Sequence, residues 1–202
     1  AINPNTPAKP SKEQIINQAF KFHSQGNVSE AAKYYQHFIN QGFIDHRVFF
    51  NYAGILQGIG KLEAAKMSLR KAIELNPNFA IAHCNLGDIF RNLGNLQEAE
   101  ISLRKAIKLN PDYALAHSNL GDIFRDLGNF QEAELSIRKS IEIKSDYAEA
   151  HSNLGNILRD LGMLQEAEIS TRKAIELNPN LANAHYNLGN IFTDLGNLKD
   201  AE

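Results

Sequence analysis

The sequence repeats itself every 34 residues, and this period constrains the fold more than any other feature. Asparagine recurs at that spacing without a slip, at Asn17, Asn51, Asn85, Asn119, Asn153 and Asn187. The pattern His-x-Asn-Leu-Gly surrounds the last four of them and begins at His83, His117, His151 and His185. A fixed period of about 20 to 50 residues is typical of stacked supersecondary units rather than of one globular core. In such an array, function is expected on the long surface rather than in a buried pocket.

Each copy predicts two helices joined by a tight turn, as residues 80–113 illustrate. The first apolar series at helical spacing is Ala82, Leu86, Ile89, Phe90 and Leu93. Gly94 is predicted to end this helix, and Asn95 with Glu98 to begin the next one through a capping box. The second apolar series is Ala99, Leu103, Ala106, Ile107 and Leu109. Pro111 ends it, because proline disfavours helix in the residue before it. Helices of about 12–14 residues are therefore expected.

These residues resemble a known family. The series His83-x-x-Leu86-Gly87-x-x-Phe90, followed by Ala99-x-x-x-Leu103 and Pro111, resembles the tetratricopeptide repeat (TPR) signature. The resemblance covers residues 11–202 and implies an all-α fold: an α-solenoid of stacked helix-turn-helix units with a right-handed superhelical twist. It predicts an extended leader at 1–10 and repeats at about 12–45, 46–79, 80–113, 114–147, 148–181 and, in part, 182–202.

Three positions depart from the family pattern, and the first copy is the weakest match. Ser140 and Thr171 stand where the other copies have apolar or small core residues, and Ser145 replaces the turn proline. Ser11 with Gln14 predicts a capping box that opens the first helix.

The composition limits the classes of function. The net charge is -2, which argues against a protein held to nucleic acid mainly by phosphate contacts. Cys84 is the only cysteine, so no internal disulfide can form. No apolar run approaches about 20 residues, so no membrane span is expected, and we expect a cytoplasmic protein. The sequence starts without Met and stops inside its pattern, so we interpret it as part of a longer protein.

One arc of the first helix in each pair is not needed for the core. In the TPR family this arc lines a concave groove that typically binds an extended peptide or a partner helix. The resemblance thus implies a groove lined by Asn51, Asn85, Asn119, Asn153, Asn187, Asp88, Asp122, Asn156, Arg91, Arg125 and Arg159. Its N-terminal end is expected to be more apolar, with Ile16, Phe20 and Phe50. Asp88 and Asp122 stand three residues before Arg91 and Arg125, a spacing at which they could pair on the helix.

The repeated asparagine predicts how a partner is held. An asparagine amide both donates and accepts hydrogen bonds, so a ladder of amides could hold an extended peptide whatever its side chains are. This resembles the TPR arm of O-linked N-acetylglucosamine transferase. The alternative is structural, with the amides bonding between repeats.

Two further hypotheses concern what the array belongs to. It could recruit substrates for an enzyme domain beyond Glu202, although no catalytic constellation and no cofactor or metal site is expected within it. It could also self-assemble. Because the sixth copy lacks most of its second helix, part of its apolar surface should be uncovered and promote a concentration-dependent homodimer. The residues concerned are Leu188, Ile191, Phe192 and Leu195.

Several other signals are better explained by structure than by function. The periodic histidines are too far apart to share a metal ion, which needs ligands at about 2 Å. The glycines from Gly54 to Gly60 lack the spacing of a phosphate loop. Recurring Arg-Lys pairs have glutamates four residues away, as on a solvated helix face. A clamp for a chaperone's C-terminal carboxylate is disfavoured, because the groove arc offers arginines but no lysine.

Overall fold

The computed structural model describes residues 10–196, and within this range every regular element is an α-helix. Each helix has 13 or 14 residues, as the repeat pattern predicts. The helices are α1 (Lys12–Ser24), α2 (Val28–Asn40), α3 (His46–Gly58), α4 (Leu62–Leu75), α5 (Ala80–Asn92), α6 (Leu96–Leu109), α7 (Ala114–Asp126), α8 (Phe130–Ile143), α9 (Ala148–Asp160), α10 (Leu164–Leu177) and α11 (Ala182–Asp194).

Glycine ends the first helix of each pair by adopting a conformation that other residues avoid. Gly94 has φ +77°, in the left-handed region. Its N–H donates to the carbonyl of Arg91, and the N–H of Asn95 donates to the carbonyl of Phe90. These two bonds form a Schellman motif, which satisfies carbonyls that the end of the helix would otherwise leave open. The chain therefore reverses within a few residues and starts the second helix.

The predicted capping boxes differ in outcome. At α1 the prediction is confirmed: Ser11 Oγ accepts from the N–H of Gln14 at 3.2 Å, and Gln14 Oε1 accepts from the N–H of Ser11 at 2.8 Å. At α6 it is wrong, since Asn95 occupies the N-cap position without a side-chain capping bond. The Schellman motif already uses the N–H of Asn95, so Glu98 has no N-cap donor from which to accept.

The chain forms two compact units, Ala1–Asn78 and Phe79–Glu202. In the first unit α1 packs on α2, α2 on α3 and α3 on α4. Its core includes the buried side chains of Ile15, Tyr35, Phe38 and Val48. The division of the chain into repeats of 34 residues stays a prediction.

In the second unit the helices pair as α5 with α6, α7 with α8, and α9 with α10. Neighbouring pairs also touch through their first helices, because α5 contacts α7, α7 contacts α9, and α9 contacts α11. Small residues allow the two helices of a pair to approach. A Cβ added to Gly121 would lie 2.6 Å from Ile137 Cγ1, and one added to Gly87 would lie 2.7 Å from Leu103 Cγ. The predicted all-α class of stacked helix pairs is confirmed.

Two polar residues depart from the family pattern inside this core, and the hydroxyl of each donates a hydrogen bond to a nearby carbonyl. Ser140 Oγ donates to the carbonyl of Ala114 at 2.8 Å, which links α8 to the start of α7. Thr171 Oγ1 donates to the carbonyl of Ala167 within its own helix, also at 2.8 Å. Both hydroxyls are buried, so these bonds offset the cost of removing them from water.

Candidate functional site

The candidate site of the second unit lies on its first helices, α5, α7, α9 and α11. We define the first-helix face as the polar arc of these four helices. Its members are Asn85, Asp88 and Arg91 of α5, Asn119, Asp122, Arg125 and Asp126 of α7, Asn153, Asn156, Arg159 and Asp160 of α9, and Asn187, Asn190 and Asp194 of α11. Except for Asn187, which is buried, these side chains are partly or fully exposed.

Three asparagines of the face donate hydrogen bonds to the preceding repeat. Asn119 Nδ2 lies 3.7 Å from Cys84 Sγ, and Asn153 Nδ2 donates to Asp122 Oδ1 at 2.9 Å. Asn187 Nδ2 donates to Ser152 Oγ at 3.0 Å. These three amides therefore link neighbouring repeats, as the structural alternative in the sequence analysis predicts.

Two other asparagines of the face make no hydrogen bond to another repeat among the described residues. Asn85 and Asn156 are half-buried, and the structure gives them no hydrogen-bond partner within residues 10–196. An amide at such a place can donate and accept without breaking an existing bond.

The arginines form a second ladder between repeats. Arg91 Nε donates to Asp126 Oδ2 at 2.6 Å, and Arg125 Nε donates to Asp160 Oδ2 at 2.6 Å. Arg159 Nε pairs with Asp194 in the same way. Each pair joins residues 35 positions apart, because arginine and the following aspartate recur in neighbouring copies.

The predicted pairing within one helix is therefore wrong for Asp122 and Arg125. Asp122 Oδ2 accepts instead from Arg91 Nη1 of the preceding repeat, at 3.2 Å. The neighbouring first helices pack closely enough for an arginine to reach across to the next repeat, where carboxylates are already fixed in place.

Asp122 is bonded to both neighbouring repeats. Its two oxygens accept from Asn153 and Arg91, so it links three successive repeats. Burial is the largest influence on this carboxyl and raises the pKa of Asp122 to about 6, although Arg91 acts in the opposite direction.

We expect the protonation of Asp122 to stabilise the folded state as the pH falls, which is the opposite of the usual effect of a carboxyl group. Its pKa is about 6 in the folded state and 3.8 for the free side chain. The folded state therefore binds more protons between these values and gains stability as the pH falls through that window. Asp122→Asn should lose this gain, so the stability difference between wild type and variant should shift by about 1–2 kcal/mol between pH 7 and pH 4. Urea unfolding at several pH values measures it, and parallel pH profiles would contradict it.

Cys84 is a packing residue. Its side chain is buried, and burial raises the pKa of the Cys84 thiol to about 11. The nucleophilic thiolate is therefore scarce near neutral pH.

The first unit contains the remaining predicted site residues. The sequence predicts an apolar lining by Ile16, Phe20 and Phe50 there, and the structure agrees with this only in part. Ile16 is buried in the core, so its predicted place in the groove is wrong. Phe20 is half-buried and has the Arg47 guanidinium over its ring at 5.4 Å. Phe50 is also half-buried. Ile16 belongs to the same buried cluster as Ile15.

Asn51 lies beside a buried tyrosine in this unit. The hydroxyl of Tyr35 is hydrogen bonded to His23 Nδ1 at 2.9 Å. Burial raises the pKa of Tyr35 to about 12, while a hydrogen bond with Asn51 acts to lower it. Asn51 thus supports the packing of α2 against α3.

The histidines of the repeat hold the turn that precedes their own helix. Nε2 of His117 and of His185 donates to a proline carbonyl six residues earlier, in both cases at 2.8 Å. His151 Nε2 makes the same bond to the carbonyl of Ser145 at 3.0 Å. The structure therefore gives these three histidines a role in packing. Within residues 10–196, no group of three or more metal-ligating side chains comes together.

Comparisons with known proteins decide the family. Sequence models described as TPR repeat match residues 59–94, 87–128 and 121–162, and models described as tetratricopeptide repeat match 148–181 and 171–202. The chain belongs to the tetratricopeptide repeat family. Proteins of this family are protein-interaction scaffolds.

Solved structures of TPR proteins are similar to this one. YrrB, described as a TPR protein with an unusual peptide-binding site, is 26% identical, with a TM-score of 0.64 over 85% of this chain and 88% of its own. A MamA fragment from Desulfovibrio magneticus RS-1 is 21% identical, with a TM-score of 0.67 over 77% and 88%. PilF of Pseudomonas aeruginosa is 15% identical, with a TM-score of 0.78 over 94% and 86%. The last two similarities concern the fold alone. No curated protein matches this chain significantly.

The second helices of this TPR protein carry charge pairs that balance each other. Arginine Nε donates to a glutamate four residues earlier at 2.7 or 2.8 Å, in the pairs Arg104–Glu100, Arg138–Glu134 and Arg172–Glu168. Lys139 and Lys173 pair with glutamates three residues later. This arrangement fits the interpretation as a solvated outer face.

The arginines that the sequence predicts for a groove are already held by carboxylates of this chain, which disfavours the carboxylate clamp considered above. Arg47 contacts Asp45 through Nε and Nη2, at 3.0 and 2.8 Å, and this contact lowers the pKa of Asp45. Arg91, Arg125 and Arg159 are engaged by the pairs described above. A clamp would have to break these pairs.

The apolar surface of α11 is smaller than the sequence predicts. Ile191 and Phe192 are buried, so the prediction that they are uncovered is wrong. Helices α9 and α10 pack on α11, and the Arg172 guanidinium lies 5.3 Å from the centre of the Phe192 ring. Leu188 and Leu195 are half-buried, as expected. The homodimer stays a prediction.

Among the described residues, no helix has the length and apolar character that crossing a membrane requires.

Proposed function

We propose that the first-helix face of the second unit binds an extended segment of a partner protein, with asparagine amides contacting the backbone of that segment. The observation that carries the proposal is the state of Asn85 and Asn156. Both are half-buried on this face without a hydrogen-bond partner within residues 10–196. An extended peptide offers an N–H and a C=O at every residue except proline, and an amide side chain complements both.

The asparagines that bond between repeats support the same function. The amide nitrogens of Asn119 and Asn153 are fixed by the preceding repeat. Their carbonyl oxygens are then held in one orientation and can accept from a peptide N–H. A side chain that is already ordered loses less conformational entropy when a ligand binds.

Substitution of Asn85 and Asn156 together tests the proposal without breaking the bonds between repeats. We expect Asn85→Ala with Asn156→Ala to weaken binding about tenfold, because each lost hydrogen bond contributes about 0.5–1.5 kcal/mol. The ligand is a 12-residue peptide selected from a random library by wild-type protein. Fluorescence anisotropy with the labelled peptide measures the affinity.

The matched control also removes two side-chain amides, but from the second helices. Gln97→Ala with Gln131→Ala alters exposed amides at the starts of α6 and α8 and should leave the affinity unchanged. Equal affinities of the two double variants would reject the asparagine contacts. A library that yields no binding peptide would reject peptide binding altogether.

A further inference from the structure

The second helices of the second unit each expose one apolar side chain at the same position of the repeat. Ile101 of α6 is 68% exposed, while Leu135 of α8 and Ile169 of α10 are each 70% exposed. We call these three residues the second-helix row. Met67 holds the equivalent position in the first unit and is 71% exposed. A single exposed aliphatic residue needs no explanation, but one in each of α6, α8 and α10 is a surface feature that repeats with the fold.

The second-helix row lies beside further apolar surface. Arg138 Nη2 of α8 lies 3.5 Å from Glu166 Oε2 of α10, so these two helices are neighbours. A crevice of about 620 Å³ lies next to them, and its lining includes Leu154 and Leu158 of α9 together with Ile169. This crevice leaves room beside the row for an apolar side chain of another molecule.

Charges are ordered in the same way around each member of the row. In α6, two glutamates, Glu98 and Glu100, precede Ile101. Arg104 and Lys105 follow it. The same order, with two glutamates before the row residue and an arginine and a lysine after it, occurs in α8 and α10. A helix of opposite direction would place its basic segment against this acidic segment, whereas a helix of the same direction would bring like charges together.

Helix α6 keeps one charge of each sign available next to the row. Arg104 is already paired with Glu100. The exposed carboxylate of Glu98 and the exposed ammonium group of Lys105 take part in no ion pair within residues 10–196. In α8 and α10 the lysine that corresponds to Lys105 is paired with a glutamate three residues later. Helix α6 therefore has an unpaired acidic group before Ile101 and an unpaired basic group after it.

A two-fold symmetric contact would pair these two groups twice. If Ile101 of one copy packs on Ile101 of a second copy, Glu98 lies about 4.5 Å before the contact point along the helix axis and Lys105 about 6 Å beyond it. With the helices antiparallel, Glu98 of each copy then faces Lys105 of the other, because contacts across a two-fold axis are reciprocal. The net charge of -2 adds little repulsion between the copies.

We infer that this chain forms a two-fold symmetric homodimer through its second helices, with Ile101, Leu135 and Ile169 of one copy packed against the same residues of the other. A second copy is the occupant that this surface favours, because its order of charges is complementary to itself and every copy carries the same row. The inference is independent of the proposed function, which concerns the first helices. Three aliphatic residues per copy form a small contact, and small contacts are typical of weak association.

Sedimentation equilibrium of the whole chain measures the dimer. The mass of one copy is 22.5 kDa. We expect the average mass to rise from that value at low micromolar concentration toward twice that value near 1 mM, with a dissociation constant of about 100 µM, as is typical of a small contact. A strict monomer at about 1 mM, ten times that dissociation constant, would overturn the inference.

Paired substitutions locate the dimer contact on the molecule. Ile101→Ser with Leu135→Ser removes two members of the row and should weaken dimerisation about tenfold, because less apolar surface leaves water. Ile81→Ser with Leu115→Ser removes two exposed aliphatic side chains from α5 and α7 and should leave dimerisation unchanged. Circular dichroism checks that both double variants are folded. Equal dissociation constants of the two double variants would overturn the assignment to the second helices.

An exchange of charges tests the antiparallel contact. Glu98→Lys alone and Lys105→Glu alone should each weaken the homodimer about threefold at low salt, because each variant places like charges opposite one another twice. An equal mixture of the two variants should recover the association, since the lysines of one copy then face the glutamates of the other. High salt should remove these differences, because it screens exposed charges. A mixture that associates no better than the single variants would overturn the antiparallel arrangement.

A variant of the C-terminal surface separates this dimer from the one that the sequence predicts at the sixth copy. Leu188→Ser with Leu195→Ser should leave dimerisation unchanged. If this change abolishes the dimer while the row variant keeps it, the contact lies at α11 and the inference fails. A dimer that uses the row but binds no peptide would leave the inference in place and reject the proposed function.

Discussion

Leu103→Ala should lower the free energy of unfolding by about 3 kcal/mol, within the range found for deleting a buried leucine side chain. Leu103 is 0% exposed and packs against Gly87 across the interior of its helix pair. The substitution leaves a cavity that the glycine opposite has no side chain to fill. Guanidinium unfolding followed by far-ultraviolet circular dichroism measures the loss, and amide hydrogen exchange in α5 and α6 locates it.

Ile101→Ala is the matched control for that loss. Ile101 lies two residues away on the same helix and is 68% exposed. Removing its side chain should change the free energy of unfolding by no more than about 0.5 kcal/mol. Similar losses at both positions would mean that the wrong face of α6 has been assigned to the core.

Gly121→Ala should destabilise the protein by about 2 kcal/mol, although alanine favours helix. A Cβ at this position would lie 2.6 Å from Ile137 Cγ1 and 3.1 Å from the carbonyl oxygen of Ala133. The isoleucine side chain would have to leave its place, and the backbone of α8 limits how far α7 can move. Thermal and guanidinium unfolding both measure the effect.

Two further variants distinguish this clash from a general effect of glycine. Gly54→Ala in α3 meets no atom within 4 Å and should stabilise the protein by about 0.5–1 kcal/mol. Combining Gly121→Ala with Ile137→Ala should cost less than the sum of the single variants, because the new methyl group enters space that the isoleucine leaves. Strict additivity of the two costs would show that no clash occurs.

The helices could be predicted from the sequence because their signals are local. Apolar spacing, the glycine that ends the first helix and the proline that follows the second act within a few residues of where they stand. Gly94 shows this most clearly, since its positive φ is a property of one residue and the chain reverses there. The same reasoning failed at Asn95, because the turn had already used the N–H that a capping box needs.

The contacts between repeats could not be derived in the same way. Arg91 has an aspartate three residues before it in its own helix, yet it also pairs with Asp122 and Asp126 of the next repeat. Which carboxylate it reaches depends on how far apart neighbouring first helices lie. One signal was available: Arg125-Asp126 recurs as Arg159-Asp160, while α5 has Arg91 without a following aspartate and α11 has Asp194 without a preceding arginine.

The same residue type at equivalent positions of different repeats does not have the same environment. Asn17 is exposed, whereas Asn187 is buried and bonded to Ser152. Asn17 lies in α1, which packs on α2, whereas Asn187 lies in α11, which packs on α9 and α10. The asparagine ladder of the sequence is therefore a set of positions with different bonding states, and only some of their amides are available to a ligand.

The position of a bound peptide tests the central claim most directly. Amide chemical shifts of the ¹⁵N-labelled chain, recorded during titration with the library-selected peptide, report which helices it touches. The account predicts the largest changes in α5, α7 and α9, at and around Asn85, Asn119 and Asn156. Changes concentrated in α6, α8 and α10 would contradict it, because the peptide would then lie on the charge-balanced outer face.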